Sequence, residues 1–172
     1  AGLLAEAGAE LRDLDLPAGF ETLNEAQRVV MAWESKTQFL PEYLDHYDRL
    51  HPEFRRKVEN GDGITPEQYL AAIDHAAACR PAFDGLFGAS LDVVLTPSAP
   101  GEAPVGPEVT TGDYVMNTMW TLLHAPCVNI PGATGPNGLP VGVTLAGPRL
   151  GDARLLAVTK AVAPLLDADL RV

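Results

Sequence analysis

Three short apolar runs in the second half of the sequence constrain its fold more than any other feature. Leu91 to Thr96 ends at Pro97, Cys127 to Ile130 follows a proline, and Pro140 to Ala146 is rich in valine. Each run has the length and composition of a buried strand. A glycine-rich turn separates the last two runs, so we expect them to pair antiparallel.

The remaining segments mostly have the apolar spacing of helices. We predict helices over residues 25–38 with Asn24 as N-cap, 41–50, 52–59, 65–79 with a continuation after Pro81 to about 87, 113–124 and 152–166. Thr65, Pro66 and Gln68 form a typical helix start. Ala9 to Leu16 alternates between apolar and polar residues and predicts a further strand. The order of elements predicts an α/β layered fold with a mixed β-sheet flanked by helices, mostly helical over 1–90 and sheet-forming over 91–172.

Composition excludes several classes of protein. Hydrophobic residues make up 47% and charged residues 20%, which is typical of a folded domain rather than a disordered chain. The net charge of -11 would repel a polyanion, so no nucleic-acid partner is expected. No apolar run is long enough for a membrane span. Two widely separated cysteines, Cys79 and Cys127, do not make a disulfide framework, and we expect both to be reduced, buried residues of a cytoplasmic protein.

No motif in the sequence predicts an autonomous catalytic mechanism. A hydrolase triad requires a nucleophile beside a base, and the three serines lie in no such arrangement. These serines and the three lysines are Ser35, Ser90, Ser98, Lys36, Lys57 and Lys160. His75 and Cys79 share a helical face, as a thiolate–imidazolium pair would, but a buried thiol beside a histidine is favoured. His46 and His51 lack the spacing of a zinc site. We therefore predict no catalytic residue, no metal ligand and no cofactor.

A succession of short segments is more specific than any of these motifs. The segments are Leu91–Pro97, Thr111–Asp113, Asn117–Leu123, Ala125–Gly132, Gly138–Gly147 and Asp152–Leu156. In this order and spacing they resemble the C-terminal region of the amidase-signature family. The resemblance implies that residues 1–172 are the C-terminal part of an amidase domain. It also implies a parent enzyme that hydrolyses a carboxamide C–N bond to acid and ammonia. The family's Ser–cis-Ser–Lys triad would lie upstream, so this chain alone is expected to be inactive.

The resemblance also implies which residues approach a substrate. Tyr114, Asn117, Trp120 and Thr121 are the candidate substrate-pocket residues, because Asn117 can hold an amide and Trp120 can form an apolar wall. A purely structural role for Trp120 in the core is the alternative. The expected partner is a small-molecule amide, and exposed surface would also permit a homo-oligomer.

Two other functions remain open at this point. The chain can be a stand-alone, non-catalytic binding domain of amidase ancestry, with an exposed sheet edge as its binding surface. It can also be part of a tRNA-dependent amidotransferase A-type subunit, although its acidic composition argues against that reading.

Overall fold

The computed structural model describes residues 1–106 and 112–166. Its helices are α1 (Gly2–Glu6), α2 (Leu23–Gln38), α3 (Leu40–Asp45), α4 (Pro52–Val58), α5 (Pro66–Asp84), α6 (Val115–Leu123) and α7 (Asp152–Leu166). Its strands are β1 (Val94–Pro97), β2 (Cys127–Thr134) and β3 (Pro140–Ala146). Two 3₁₀ turns, Phe20–Thr22 and Tyr47–Arg49, complete the elements. Of the segments that carry the family resemblance, Thr111 lies outside the described residues.

The three strands form one sheet in the order β1-β3-β2, with both neighbouring pairs antiparallel. β2 and β3 form the hairpin that their glycine-rich connection predicts. β2 continues beyond its predicted end at Ile130 to Thr134, with a register shift between Pro131 and Ala133. The α/β class with a sheet flanked by helices is therefore confirmed. Among the described residues the sheet is antiparallel rather than mixed, because each neighbouring pair of strands runs in opposite directions.

Helices pack against both faces of this sheet. Successive side chains of a strand point to opposite faces, and Leu145 and Ala146 of β3 show the result. Leu145 belongs to a core shared with α1 and α7, whereas Ala146 belongs to a core built with α2, α5 and α6. Phe83 and Leu123 are fully buried in this second core.

Helix α5 has the start that the sequence predicts. The Thr65 hydroxyl accepts a hydrogen bond from the backbone N–H of Gln68, and the Gln68 side chain accepts one from the backbone N–H of Thr65. The predicted interruption near Cys79 is wrong, because α5 runs without a break through Pro81 to Asp84. Phe83, in the last turn, is completely buried, and this packing offsets the hydrogen bond that proline removes.

Two further local predictions are wrong. Residues 9–16 form no strand, because no neighbouring strand in the described residues supplies hydrogen-bond partners; Leu11 and Leu14 remain exposed. Helix α2 begins at Leu23 with Thr22 as its N-cap position, so Asn24 is no cap. The Asn24 side chain instead accepts a hydrogen bond from Thr118 of α6.

Candidate functional site

A cleft of about 880 Å³ opens where the loop after β1 faces the start of α6 and the β2–β3 hairpin. Its polar lining comes from Ser98, Glu102, Asp113, Tyr114, Asn117, Asn129 and Thr144. These residues are far apart in sequence, and the sheet brings them together because β1 and β2 both pair with β3. The cleft is the best candidate for a site because it is concave and lined by several hydrogen-bonding groups.

A cluster of three polar side chains forms the floor of the cleft. Asn129 and Thr144 are directly opposite each other on β2 and β3, so their side chains share one face of the sheet. The Ser98 hydroxyl donates to Asn129 Oδ1, and its oxygen lies 2.9 Å from Thr144 Oγ1. Thr144 is only 2% exposed, so its hydrogen bond with Ser98 satisfies a buried hydroxyl.

Helix α6 presents its first turn to the same cluster. Asn117 Nδ2 donates to the backbone carbonyl of Ser98 at 2.9 Å, which ties α6 to the loop after β1. Asp113 Oδ1 accepts from the backbone N–H of Val115 at 2.8 Å and satisfies one of the free N–H groups at the helix start. Tyr114, between them, is exposed at the rim of the cleft.

Glu102 holds the outer wall of the cleft in place. Its carboxylate accepts hydrogen bonds from the backbone N–H groups of Asn137 and Leu139, at 2.9 and 3.0 Å, and from Asn137 Nδ2 at 2.6 Å. Burial raises the pKa of Glu102, but the hydrogen bonds from Asn137 and Leu139 outweigh it and hold the pKa below its ordinary value. The loop after β1 is thereby fastened to the β2–β3 turn.

The four predicted pocket residues do not all reach this cleft. Tyr114 and Asn117 line it. Trp120 points into the core, 5% exposed, with its ring centroid 5.6 Å from that of Phe83. Thr121 lies one turn further along α6, where its hydroxyl donates to the carbonyl of Asn117.

Sequence reasoning missed Ser98, Glu102, Asn129 and Thr144. Asn129 and Thr144 are polar residues inside otherwise apolar strand segments, and that break in the pattern is the one signal that the sequence contains. Ser98 and Glu102 lie in a proline-rich loop, and only tertiary contacts with the hairpin reveal their positions.

Neither Ser35, which is buried, nor Ser98, which is half-buried, is paired with a base among the described residues. Ser35 donates to the carbonyl of Met31 within α2, and Ser98 is shared between Asn129 and Thr144. Lys36 lies over the ring of Trp33 at 3.9 Å. In the parts of the chain that the structure describes, the cleft thus offers amide and hydroxyl groups that can bind and orient a ligand. Among these described residues, the cleft contains no nucleophile–base pair.

Neither His75 nor either cysteine lines the cleft. His75 Nε2 lies 2.9 Å from the carbonyl of Gly19 and 4.0 Å from Cys79 Sγ, so the predicted shared face exists. Burial raises the pKa of the Cys79 thiol, which opposes a thiolate. Cys127 is exposed, contrary to expectation, because it opens an edge strand of the sheet.

Neither a metal cluster nor a membrane-spanning helix is present in residues 1–106 and 112–166. Within these ranges, no group of three histidine, cysteine or acidic side chains is placed to hold a metal ion. No described helix is both long and apolar enough to cross a bilayer.

Curated relatives match nearly all of the chain. It is 27% identical over 173 aligned residues to the 2-amino-5-chloromuconic acid deaminase of Comamonas testosteroni, covering 95% of this chain and 37% of that protein. It is 29% identical to the A-type subunit of the glutamyl-tRNA(Gln) amidotransferase of Roseobacter denitrificans, covering 90% of this chain and 38% of the relative. The chain therefore spans less than two fifths of the length of these relatives.

Solved structures share the fold. A crystal structure of an amidase superposes with a TM-score of 0.74 at 22% identity, covering 96% of this chain and 39% of that one. Fatty acid amide hydrolase gives a TM-score of 0.74 at 19% identity over 98% of this chain and 36% of its own. The family model named Amidase matches residues 2–156. The chain belongs to the amidase family.

Proposed function

We propose that this chain forms one wall of the substrate site of an enzyme that hydrolyses a linear carboxamide to acid and ammonia. The observation that carries the proposal is the cleft between Ser98, Asn117 and Asn129, where amide and hydroxyl groups converge on one opening. Asparagine side chains can donate to and accept from a substrate amide at once. Tyr114 lies at the rim, where it can cover the non-reacting part of a substrate.

The nucleophile and the base are proposed to come from polypeptide outside these 172 residues. Each curated relative is more than twice as long as the part that this chain matches. Residues 1–172 would then be the C-terminal part of an amidase domain, inactive without its other part. The two free cysteines favour a reducing compartment, so we place the enzyme in the cytoplasm.

A second opening supports the view that further polypeptide covers this chain. A groove of about 600 Å³ runs between residues 10–16 and strand β1, with Leu11, Leu14 and Leu95 in its lining. Among the described residues β1 pairs with β3 alone, and no backbone hydrogen bond joins residues 10–16 to β1. Unpaired backbone beside apolar side chains is the surface that an added strand covers.

An amidotransferase A-type subunit is the second candidate function. Its support is the similarity over 90% of this chain to the A-type subunit of a glutamyl-tRNA(Gln) amidotransferase. The two candidates differ in their dependence on charged tRNA, because a hydrolase releases ammonia from free amides whether or not charged tRNA is present.

The test of the proposed site uses the complete reading frame that contains this sequence, with ammonia release from primary amides as the readout. Asn117→Ala should lower kcat/KM by about tenfold or more, because it removes a cleft side chain and frees the Ser98 carbonyl. Gln38→Ala, an exposed change at the end of α2, is the control and should leave kcat/KM unchanged. Equal kcat/KM for Asn117→Ala and the wild type would refute the assignment of the cleft.

A further inference from the structure

The charged residues that line the cleft are all acidic. Glu102 and Asp113 lie in its wall, and none of the lining residues that the structure describes is lysine, arginine or histidine. The sequence explains why: residues 81–123, which supply most of the lining, contain no basic residue at all. The lining residues of the hairpin, Asn129, Pro140, Gly142 and Thr144, add none.

The two carboxylates differ in how far their charge is compensated. Glu102 accepts three hydrogen bonds from the β2–β3 turn. Asp113 accepts one, from the N–H of Val115, through Oδ1 alone. Among the described residues its Oδ2 has no partner, so the negative charge of Asp113 is the less compensated of the two.

Two arginines, one on α2 and one on α4, do not reverse this charge. Arg28 lies within electrostatic range of Tyr114, but its guanidinium is bound to Glu25 at 2.7 Å. Arg56 is bound to both Glu53 and Asp62. Each guanidinium is thus already paired with at least one carboxylate, and neither residue lines the cleft.

We infer that the cleft selects by charge: it accepts neutral or cationic amides and disfavours substrates that carry a carboxylate. An anion entering it would face Asp113 with no cationic side chain among the described lining residues to offset the repulsion, whereas a cation would be attracted. This inference rests on the proposed role of the cleft as an amide site. It distinguishes this chain from a relative named for an acid substrate, the 2-amino-5-chloromuconic acid deaminase.

Three probes of equal size separate the charge effect from shape. Benzamide is neutral, benzamidine is cationic and benzoate is anionic at pH 7. Each is titrated into the ¹⁵N-labelled chain, and binding is followed by the amide resonances of Tyr114, Asn117 and Asn129. We expect benzamidine to bind at least as tightly as benzamide, and benzoate to bind about tenfold more weakly.

Asp113→Asn isolates the residue responsible, because asparagine retains the Oδ1 acceptor for Val115. The ratio of benzamidine affinity to benzamide affinity should fall about three- to tenfold in this variant. Asp74→Asn, an equal change of charge on an exposed face of α5, is the matched control and should leave this ratio unchanged.

The outcomes separate this inference from the proposed function. Benzoate binding as tight as benzamide binding, in the wild-type chain, would overturn the charge selectivity and leave the amide site standing. An Asp113→Asn variant with an unchanged ratio of benzamidine affinity to benzamide affinity would also overturn it. Failure of all three probes to shift the cleft resonances would refute the amide site itself, and the selectivity with it.

Discussion

Gly142 of β3 lies so close to the amide oxygen of Asn129 on β2 that no Cβ fits between them. The same absent Cβ would also lie 3.1 Å from the Ser98 hydroxyl. The backbone carbonyl of Gly142 in turn accepts a hydrogen bond from the N–H of Ser98. One glycine therefore allows the loop after β1 and the hairpin to approach each other at the floor of the cleft.

Gly142→Ala should disrupt this floor. The new methyl group displaces the Asn129 side chain and breaks its hydrogen bond with Ser98, so we expect a loss of about 1–3 kcal/mol in the free energy of unfolding. Urea denaturation measures the change. Gly101→Ala is the matched control, because a Cβ at Gly101 meets nothing within 4 Å. Equal stability of the two variants would contradict the account of the cleft floor.

Glu102 should stabilise the cleft wall to an extent that depends on pH. Its pKa lies below the ordinary value, so the ionised carboxylate is the form that stabilises the fold. The stabilisation is complete above the pKa of the unfolded chain and disappears as the pH falls through the lower, folded pKa. Hydrogen exchange at the Asn137 and Leu139 amides, corrected for intrinsic rates, should therefore accelerate at acidic pH.

Glu102→Gln should reproduce that acceleration at pH 7. A neutral amide oxygen accepts more weakly than a carboxylate, so exchange at Asn137 and Leu139 should rise about fivefold. Amides in the middle of the β2–β3 ladder are the internal control. Unchanged exchange at the turn would show that Glu102 does not hold the wall.

His124 ends α6 in a left-handed conformation, with φ 58°. Side chains with a Cβ are disfavoured there, and glycine is not. Burial and the nearby Arg80 and Arg149 lower the pKa of His124, so its neutral ring can accept from Arg80. Both His124→Gly and His124→Ala lose that contact. The glycine variant should nevertheless be about 1 kcal/mol more stable than the alanine variant in thermal unfolding. Equal stability would contradict the backbone explanation.

Cys127 should react slowly despite its exposure. Although the residue as a whole is exposed, partial burial of its sulfur raises the pKa of this thiol to about 11, so little thiolate exists at pH 8. Alkylation by iodoacetamide should be about tenfold slower than for a free thiol, and should keep accelerating up to about pH 11. Intact mass follows the reaction, and Cys127→Ser identifies the site. Rapid labelling of Cys127 at pH 8 would be inconsistent with the raised pKa.

The sequence predicted those elements that residues close together in the chain determine. The hairpin follows from two apolar runs around a glycine-rich turn, and the start of α5 follows from Thr65 and Gln68, which hydrogen-bond each other. Residues 9–16 show the limit of such signals. Their alternation predicts two unlike faces, but a strand also requires a neighbour that supplies hydrogen bonds.

The cleft required tertiary information. Asn117 and Tyr114 were predicted as pocket residues, and both line the cleft. Trp120 belongs to the same helix, but the 3.6-residue period turns it towards Phe83 and the core. Ser98 and Thr144 are 46 positions apart, and only strand pairing brings them to 2.9 Å.

Ammonia release decides whether this chain supplies a binding wall without a reactive nucleophile–base pair. The chain alone and the complete reading frame containing it are assayed side by side on a panel of primary amides. We expect turnover by the complete frame and none above the buffer blank by the chain alone. Turnover by the chain alone that disappears in Ser98→Ala would contradict this expectation.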